Sequence, residues 1–467
     1  MVRIQKAIMH HAKRASGLGL ATLVIAACAS TPPSLLERDP WLAPGKTTLA
    51  AVQAADARAI DAAPLSADLP TLIQHLLADS PTIAASQAEY RAAIERVPQA
   101  STLPNPVLSY TYLPSPVETR VGPNEHRIQL NQAIPFPTKL IAGDSAATAL
   151  ARAAGAVHDR VVRDEVTRLE SLYADYYYAS RALEIAAQHV ALADALLAAA
   201  NNKFAAGRAT LFDLSKAQSQ RAQLGYDQLR LTEQRLATLA ALNATLGRPP
   251  AAPIAPPAAL ASVAVALTED QLLNLALGHQ QELRELDARI RAADAMVLMA
   301  DSGWLPDFNI GFMYLSNGPA RMAGVADSGV DAYGVMIGLT LPLWFGTNAA
   351  RSAEADAMRE VVLGKKKAHL DRLRAELTDA VFRERDARRV VTLYDTQLLP
   401  QATTAMATAE QWNAADVTRM TDFLEARGVY YSFSLARERA VADQFKAVVR
   451  IEQLIGATLA PGVEVRP

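Results

Sequence analysis

"WLPDFNIGFMYL" (residues 304–315) alternates apolar with polar or small side chains through its middle. In an extended chain Phe308, Ile310, Phe312 and Tyr314 share one face, while Asn309 and Gly311 share the other. Three more segments follow the same rule. Tyr333, Val335, Ile337, Leu339 and Leu341 alternate with Gly334, Met336, Gly338 and Thr340; Leu108, Tyr110 and Tyr112 alternate with Ser109 and Thr111; Ile128, Leu130 and Ile134 oppose Arg127, Gln129 and Asn131. Each segment is about 8–10 residues long, the length of a tilted strand crossing hydrocarbon. One face suits lipid and the other water. Phe136, Trp304, Trp344 and Phe345 stand just outside the ends, where interfacial aromatics belong.

Four strands cannot close a barrel, and an open strand edge in lipid leaves peptide groups unsatisfied. A membrane reading therefore requires several copies of the chain to share one barrel. The same alternation would suit hairpins packed on helices in water. The competing reading is then a periplasmic coiled-coil adaptor or scaffold without a membrane barrel.

The rest of the 467 residues is rich in Ala, Leu, Arg, Glu and Gln, the composition of extended helices. Formal charge is −2, and basic residues interleave with acidic ones, which gives no footprint for nucleic acid. Residues 1–27 read as a lipoprotein signal peptide, with basic residues ahead of "GLGLATLVIAA" (17–27), a run too short to span a bilayer. Ile25 to Cys28 has the form of a lipobox, so Cys28 is the expected lipidation site. It is the only cysteine, which excludes an internal disulfide. Ala29 follows it where an inner-membrane lipoprotein would carry Asp, so transfer to the outer membrane is expected. Beyond the leader no unbroken apolar run reaches the ~18 residues of a membrane helix, so a crossing must rely on strands.

The order of parts repeats. After a lipid-anchored tether (28–66), a first helix–strand–strand–helix unit spans 67–248, a Pro/Ala-rich linker 249–267, a second unit 268–457 and a tail 458–467. Leu103-Pro104-Asn105 matches Leu305-Pro306-Asp307, and Ile134-Pro135-Phe136 matches Leu341-Pro342-Leu343. In each unit a helix (about 68–100 in the first, from the Thr268–Gln271 capping box in the second) precedes the strands. Long helices follow, over about 144–203 and 348–411, broken at "FAAGRATLFDLSKAQ" (204–218) and "WNAADVTRMTDFLEAR" (412–427). Val162, Val166, Leu169, Leu172, Tyr173 and Tyr176 recur every three or four residues, so one stripe is buried in side-by-side helices. The expected fold is mainly α with membrane β.

Lipobox, duplicated units, "LPNP", "QAIPFPTKL" and the two helix breaks resemble a TolC-type outer-membrane efflux protein, over nearly the whole mature chain. The stretch 117–140 is similar to the heavy-metal, CzcC/CusC-like branch. The resemblance implies a homotrimer with a twelve-stranded β-barrel in outer-membrane lipid above a long α-helical coiled-coil barrel. It implies docking to a periplasmic adaptor and an inner-membrane RND-type pump, and passive conduction without catalysis or cofactor, for metals, drugs or secreted protein. It assigns the adaptor-contact tips to Phe204, Gly207, Arg208 and Thr210 in the first copy and Trp412, Ala415, Asp416 and Thr418 in the second. It assigns the aperture constriction to Asp422 and Glu425, which lie on one helix face. The first copy has Asp213 and Lys216 there.

The eight histidines are scattered, and no spacing suggests a metal site. Met296 and Met299 read as a core stripe, the tyrosines of "YADYYYAS" (173–180) as helix packing, and "KKK" (365–367) and "RERDARR" (383–389) as solvated faces. No phosphate loop or nucleophile motif points to an enzyme.

Overall fold

The computed structural model describes residues 65–66, 68–260, 264–415, 420–459 and 465–466, with no side-chain description over 410–421. The elements are α1 (Leu69–Asp79), α2 (Pro81–Ser101), β1 (Val107–Thr119), β2 (Gly122–Ile134), α3 (Pro137–Ala205), α4 (Leu211–Thr245), α5 (Glu269–His279) and α6 (Gln281–Asp301). There follow β3 (Asp307–Asn317), β4 (Ala332–Thr340), α7 (Phe345–Leu393), a π-helical turn (Tyr394–Leu398), α8 (Leu399–Ala415), α9 (Met420–Ile455), and the short pair β5 (Thr458–Leu459) and β6 (Val465–Arg466). They form two compact units, one holding residues 89–154 and 288–363, the other the described parts of 65–88, 155–287 and 364–466.

The first unit holds a four-stranded antiparallel sheet in the order β1-β2-β3-β4, so the two hairpins lie side by side and β1 and β4 are its edges. β1 and β2 are longer than the alternation suggests. The stretch 115–125, between the two alternating segments, continues the hairpin past a register shift between Tyr112 and Val117. A bulge resets pairing without ending the ladder. The hairpin turns at Gly122 (φ +133), where an added Cβ would lie 1.8 Å from the Gly318 carbonyl oxygen.

The second unit contains several hydrophobic cores, two of them built alike. Leu72, Leu76, Ile83, Leu169, Tyr173, Tyr176, Leu239 and Leu242 form one; Leu272, Ala276, Leu283, Leu373, Leu377, Val381, Ile451 and Ile455 form the other. Each joins the short helices of one repeat to its two long ones. The linker is part of the first core: Ile254 is buried, its carbonyl accepts the Tyr176 hydroxyl at 2.8 Å, and it bridges to Leu65.

Several local expectations need correction. The helix over 68–100 is two helices, because Ser80 precedes Pro81 and is driven to an extended backbone (ψ 120°). The π turn in the long helix of the second repeat precedes Pro400, which has no N–H to donate. Glu384, inside "RERDARR", is 1% exposed, with Arg388 the nearest cation at 3.7 Å, so that face is not wholly solvated. Met296 and Met299 are exposed, because α6 buries Leu283, Ala288, Ala292 and Ala295 instead. α3 contains an 18-residue window of mean hydropathy 1.4, apolar enough by composition to cross a membrane. Alanine raises that average without making an unbroken apolar run.

Candidate functional site

Ladder register brings the alternating side chains into rows. Leu108, Leu130, Phe312 and Val335 stand side by side, as do Tyr110, Ile128, Tyr314 and Tyr333. Ile310 neighbours Ile337, and Ile134, Phe308 and Leu339 complete the next row. Leu108, Tyr110, Tyr112, Ile128, Leu130, Phe308, Ile310, Phe312, Val335, Ile337 and Leu339 are all exposed in the single chain; Leu108 reaches 71% and Ile337 77%. Tyr314 is half-buried, and its hydroxyl donates to Asp331. From Phe308 to Tyr314 the face rises ~20 Å along the strand.

Two polar residues on this face escape the alternation. His126 stacks against Tyr110 and Tyr112 and shares a hydrogen bond with the Tyr110 hydroxyl. Gln132 donates to the Pro104 carbonyl at 2.7 Å. Tyr112, His126 and Tyr333 thus mark one end of the apolar band, while Phe136, Trp304, Trp344 and Phe345 mark the other. There Asp307 accepts hydrogen bonds from the Phe136 backbone N–H and the Lys139 ammonium, both at 2.8 Å, fastening the first hairpin's exit to the second's entry.

The turn between α3 and α4 follows directly from its sequence. Gly207 takes φ +68, which glycine adopts without a Cβ clash. The Arg208 N–H donates to the Lys203 carbonyl at 2.8 Å and the Gly207 N–H to that of Phe204 at 3.0 Å, the Schellman closure of a helix end. Thr210 then caps α4. Its hydroxyl accepts from the Asp213 N–H while the Asp213 carboxylate accepts from the Thr210 N–H. The Thr210 hydroxyl, donating to the same carboxylate at 2.7 Å, and then the Thr210 N–H hold Asp213 below the usual carboxylate range. Phe204 and Arg208 remain exposed. Of the second turn, Ala415 ends α8 and the Trp412 side chain, Asp416 and Thr418 lie outside the described residues, as does Cys28.

Asp422 and Glu425 lie in the first two turns of α9, and both are exposed. Between and beyond them Phe423, Leu424 and Arg427 are buried, which fixes the rotation of the helix. The Leu424 carbonyl accepts from Gln220 at 3.2 Å, and the Arg427 guanidinium lies over the Phe423 ring at 5.6 Å. A cavity of about 40 Å³ opens here among His189, Gln220, Leu424, Arg427 and Tyr431. Burial, reinforced by Arg427, pushes the His189 imidazole down to about 4. Nothing in the sequence pattern distinguished His189 or Arg427; only packing does. Among the described residues no group of three His, Cys, Asp or Glu is placed to hold a metal ion.

Thr210→Ala removes the capping box and should cost about 1 kcal/mol locally. Hydrogen exchange should accelerate at 211–214 and leave the core of α4 unchanged. Because the Asp213 carboxyl titrates below its ordinary value when folded, protection of this turn in the parent chain should hold at neutral pH. It should then fall as the pH drops below the ordinary carboxylate range. His189 is neutral in the fold yet protonates near 6.5 when unfolded, so it weakens the fold as pH falls from about 6.5 to about 4. Glu170, pushed up to about 7 by burial and by Glu452, acts in the opposite sense as pH rises. The thermal midpoint of His189→Gln should therefore lose less between pH 6.5 and 4 than that of the parent.

Comparison with known proteins agrees with this geometry. The model of the family described as outer membrane efflux protein matches residues 72–248 and 272–457. Among curated proteins none matches the sequence. The fold is similar to VceC of Vibrio cholerae (TM-score 0.72, 20% identity, 84% of this chain and 96% of that one). It is similar also to a Pseudomonas aeruginosa membrane protein (0.72, 19%, 83% and 93%) and to CusC (0.71, 14%, 83% and 92%). The match over both repeats shows that this chain belongs to the outer membrane efflux protein family.

Proposed function

We propose that three copies of the chain join their sheets into one twelve-stranded barrel in the outer membrane and continue as a helical barrel into the periplasm. The assembly acts as the passive exit duct of a tripartite efflux system. The observation that carries this reading is the apolar sheet face, exposed on a sheet with two open edges: lipid covers such a face and closure of the ring removes the edges. Leu108, Tyr110, Tyr112, Ile128, Leu130, Phe308, Ile310, Phe312, Tyr314, Val335, Ile337 and Leu339 then face lipid. Cys28 carries the lipid anchor. Phe204, Gly207, Arg208 and Thr210, with Trp412, Ala415, Asp416 and Thr418, meet a periplasmic adaptor, which couples the duct to an inner-membrane RND-type pump. Heavy-metal cations are the proposed cargo, on the resemblance of residues 117–140.

Asp422 and Glu425 form acidic rings that constrict the resting channel. Three copies of two carboxylates attract cations and repel anions. In planar bilayers the double variant Asp422→Ala/Glu425→Ala should raise single-channel conductance and weaken cation preference; unchanged values would remove the two residues from the constriction. A deletion strain should lose tolerance to copper, silver, zinc, cobalt or nickel and regain it from a plasmid copy. Sensitivity to lipophilic drugs alone would keep the duct and discard the metal cargo.

A further inference from the structure

We propose that the seam between neighbouring copies pairs β4 of one with β1 of the next in one register: Leu339 opposite Leu108, Ile337 opposite Tyr110, and Val335 opposite Tyr112 of the neighbouring copy. The inference rests on the barrel reading above and adds which residues meet.

The register comes from the internal duplication. Leu103 to Leu305 and Asn105 to Asp307 are each 202 residues, which carries β1 onto β3. Ile134 to Leu341 and Phe136 to Leu343 are each 207, which carries β2 onto β4. These offsets turn the first hairpin's pairs Leu108 with Leu130 and Tyr110 with Ile128 into Ile310 with Ile337 and Phe312 with Val335. The second hairpin has those pairs. The two hairpins are therefore copies in their ladders as well as in sequence.

The β2–β3 ladder links first hairpin to second, and ring closure needs a like link from second to first. Carrying Gln132 with Ile310, Leu130 with Phe312, and Ile128 with Tyr314 across by the same offsets gives the three seam pairs. The result sets apolar against apolar on the outer face. On the other face it sets Ser109 beside Gly338 and Thr111 beside Met336. A slip of one residue would turn one strand's apolar set toward water.

The base of the seam differs from its counterpart within the chain. Lys139 and Asp307, an ion pair at 2.8 Å, correspond to Gly346 and Asn105, so both charges vanish together. Pro137 and Thr138 correspond to Trp344 and Phe345, which are 79% and 63% exposed. The joint loss leaves no stranded charge and puts apolar surface where the latch would be.

Cysteine pairs test the register in the full chain, extracted in mild detergent and oxidised. Opposed Cβ atoms lie ~4.5–5.5 Å apart and diagonal ones ~7–8 Å, against the ~3.5–4.5 Å of a disulfide. Tyr110→Cys with Ile337→Cys, and Leu108→Cys with Leu339→Cys, should give covalent trimers on denaturing gels. The diagonal pairs, Leu108→Cys with Ile337→Cys and Tyr110→Cys with Leu339→Cys, should give several-fold less. Single variants retaining Cys28 set the background. Stronger diagonal links, or intact trimers without matched links, would overturn the register and leave the barrel standing. A monomeric mass in detergent before oxidation would overturn the barrel itself.

Discussion

A peptide group in hydrocarbon has no water to bond, and each one left unpaired costs several kcal/mol. Helices satisfy their own backbone; a sheet does so only where every strand has two neighbours. In this chain β2 and β3 have two, while β1 and β4 have one each. The apolar side chains of Leu108, Tyr110, Val335 and Ile337 are exposed on those edge strands, and on the proposed reading they lie in lipid, where an open edge is least tolerated. Burying the face without closing the sheet would strand backbone donors, and closing it in water would strand the face. Both needs are met only by copies of the chain arranged in a ring within lipid.

The helical unit meets a different requirement. Its long helices bury apolar stripes, two of the resulting cores being made from equivalent parts of the repeats. The repeats meet through apolar contacts, as of Ala186 and Leu231 with Tyr431, and through polar ones: Arg284 with Asp159 at 2.6 Å, Lys446 with Asp175 at 2.8 Å, and the Tyr177 hydroxyl on Glu438 at 2.6 Å. Exposed ion pairs contribute little stability each, so the small buried side chains, Ala182, Ala186, Ala193 and Ala200 among them, carry more of the packing between these helices.

Much of this was legible in the sequence because period-two alternation and paired repeats are local signals. The four strands, the Thr268 capping box and the buried tyrosines 173, 176 and 177 all follow from spacing. What spacing missed depended on neighbours distant in sequence. The hairpin beyond Tyr112 persists because β2 supplies partners up to Gly122, which no alternation within β1 announces. Glu384 looked solvated in a run of charges, yet its helix turns it inward beside the apolar stripe of Leu373, Leu377 and Val381. Met296 and Met299 looked like core because they are apolar; α6 has a second, smaller-residue face that packs instead. His189 and Arg427 carry no motif, and their shared cavity arises from three helices meeting.

The two helix breaks show how one duplicated unit comes to hold its carboxylates differently. In the first copy Thr210 and Asp213 stand three apart, the spacing at which each side chain reaches the other's backbone N–H. The carboxylate is thereby committed to the helix end. In the second copy one inserted residue puts Thr418 and Asp422 four apart in sequence, outside the three-residue spacing of a capping box, and Asp422 is exposed. The first copy follows its acid with Lys216 where the second has Glu425, which adds a like charge to the same face. The second copy also has Ala415 where the first has Gly207. A single insertion thus separates a carboxylate bonded into a helix N-terminus from one exposed on its helix.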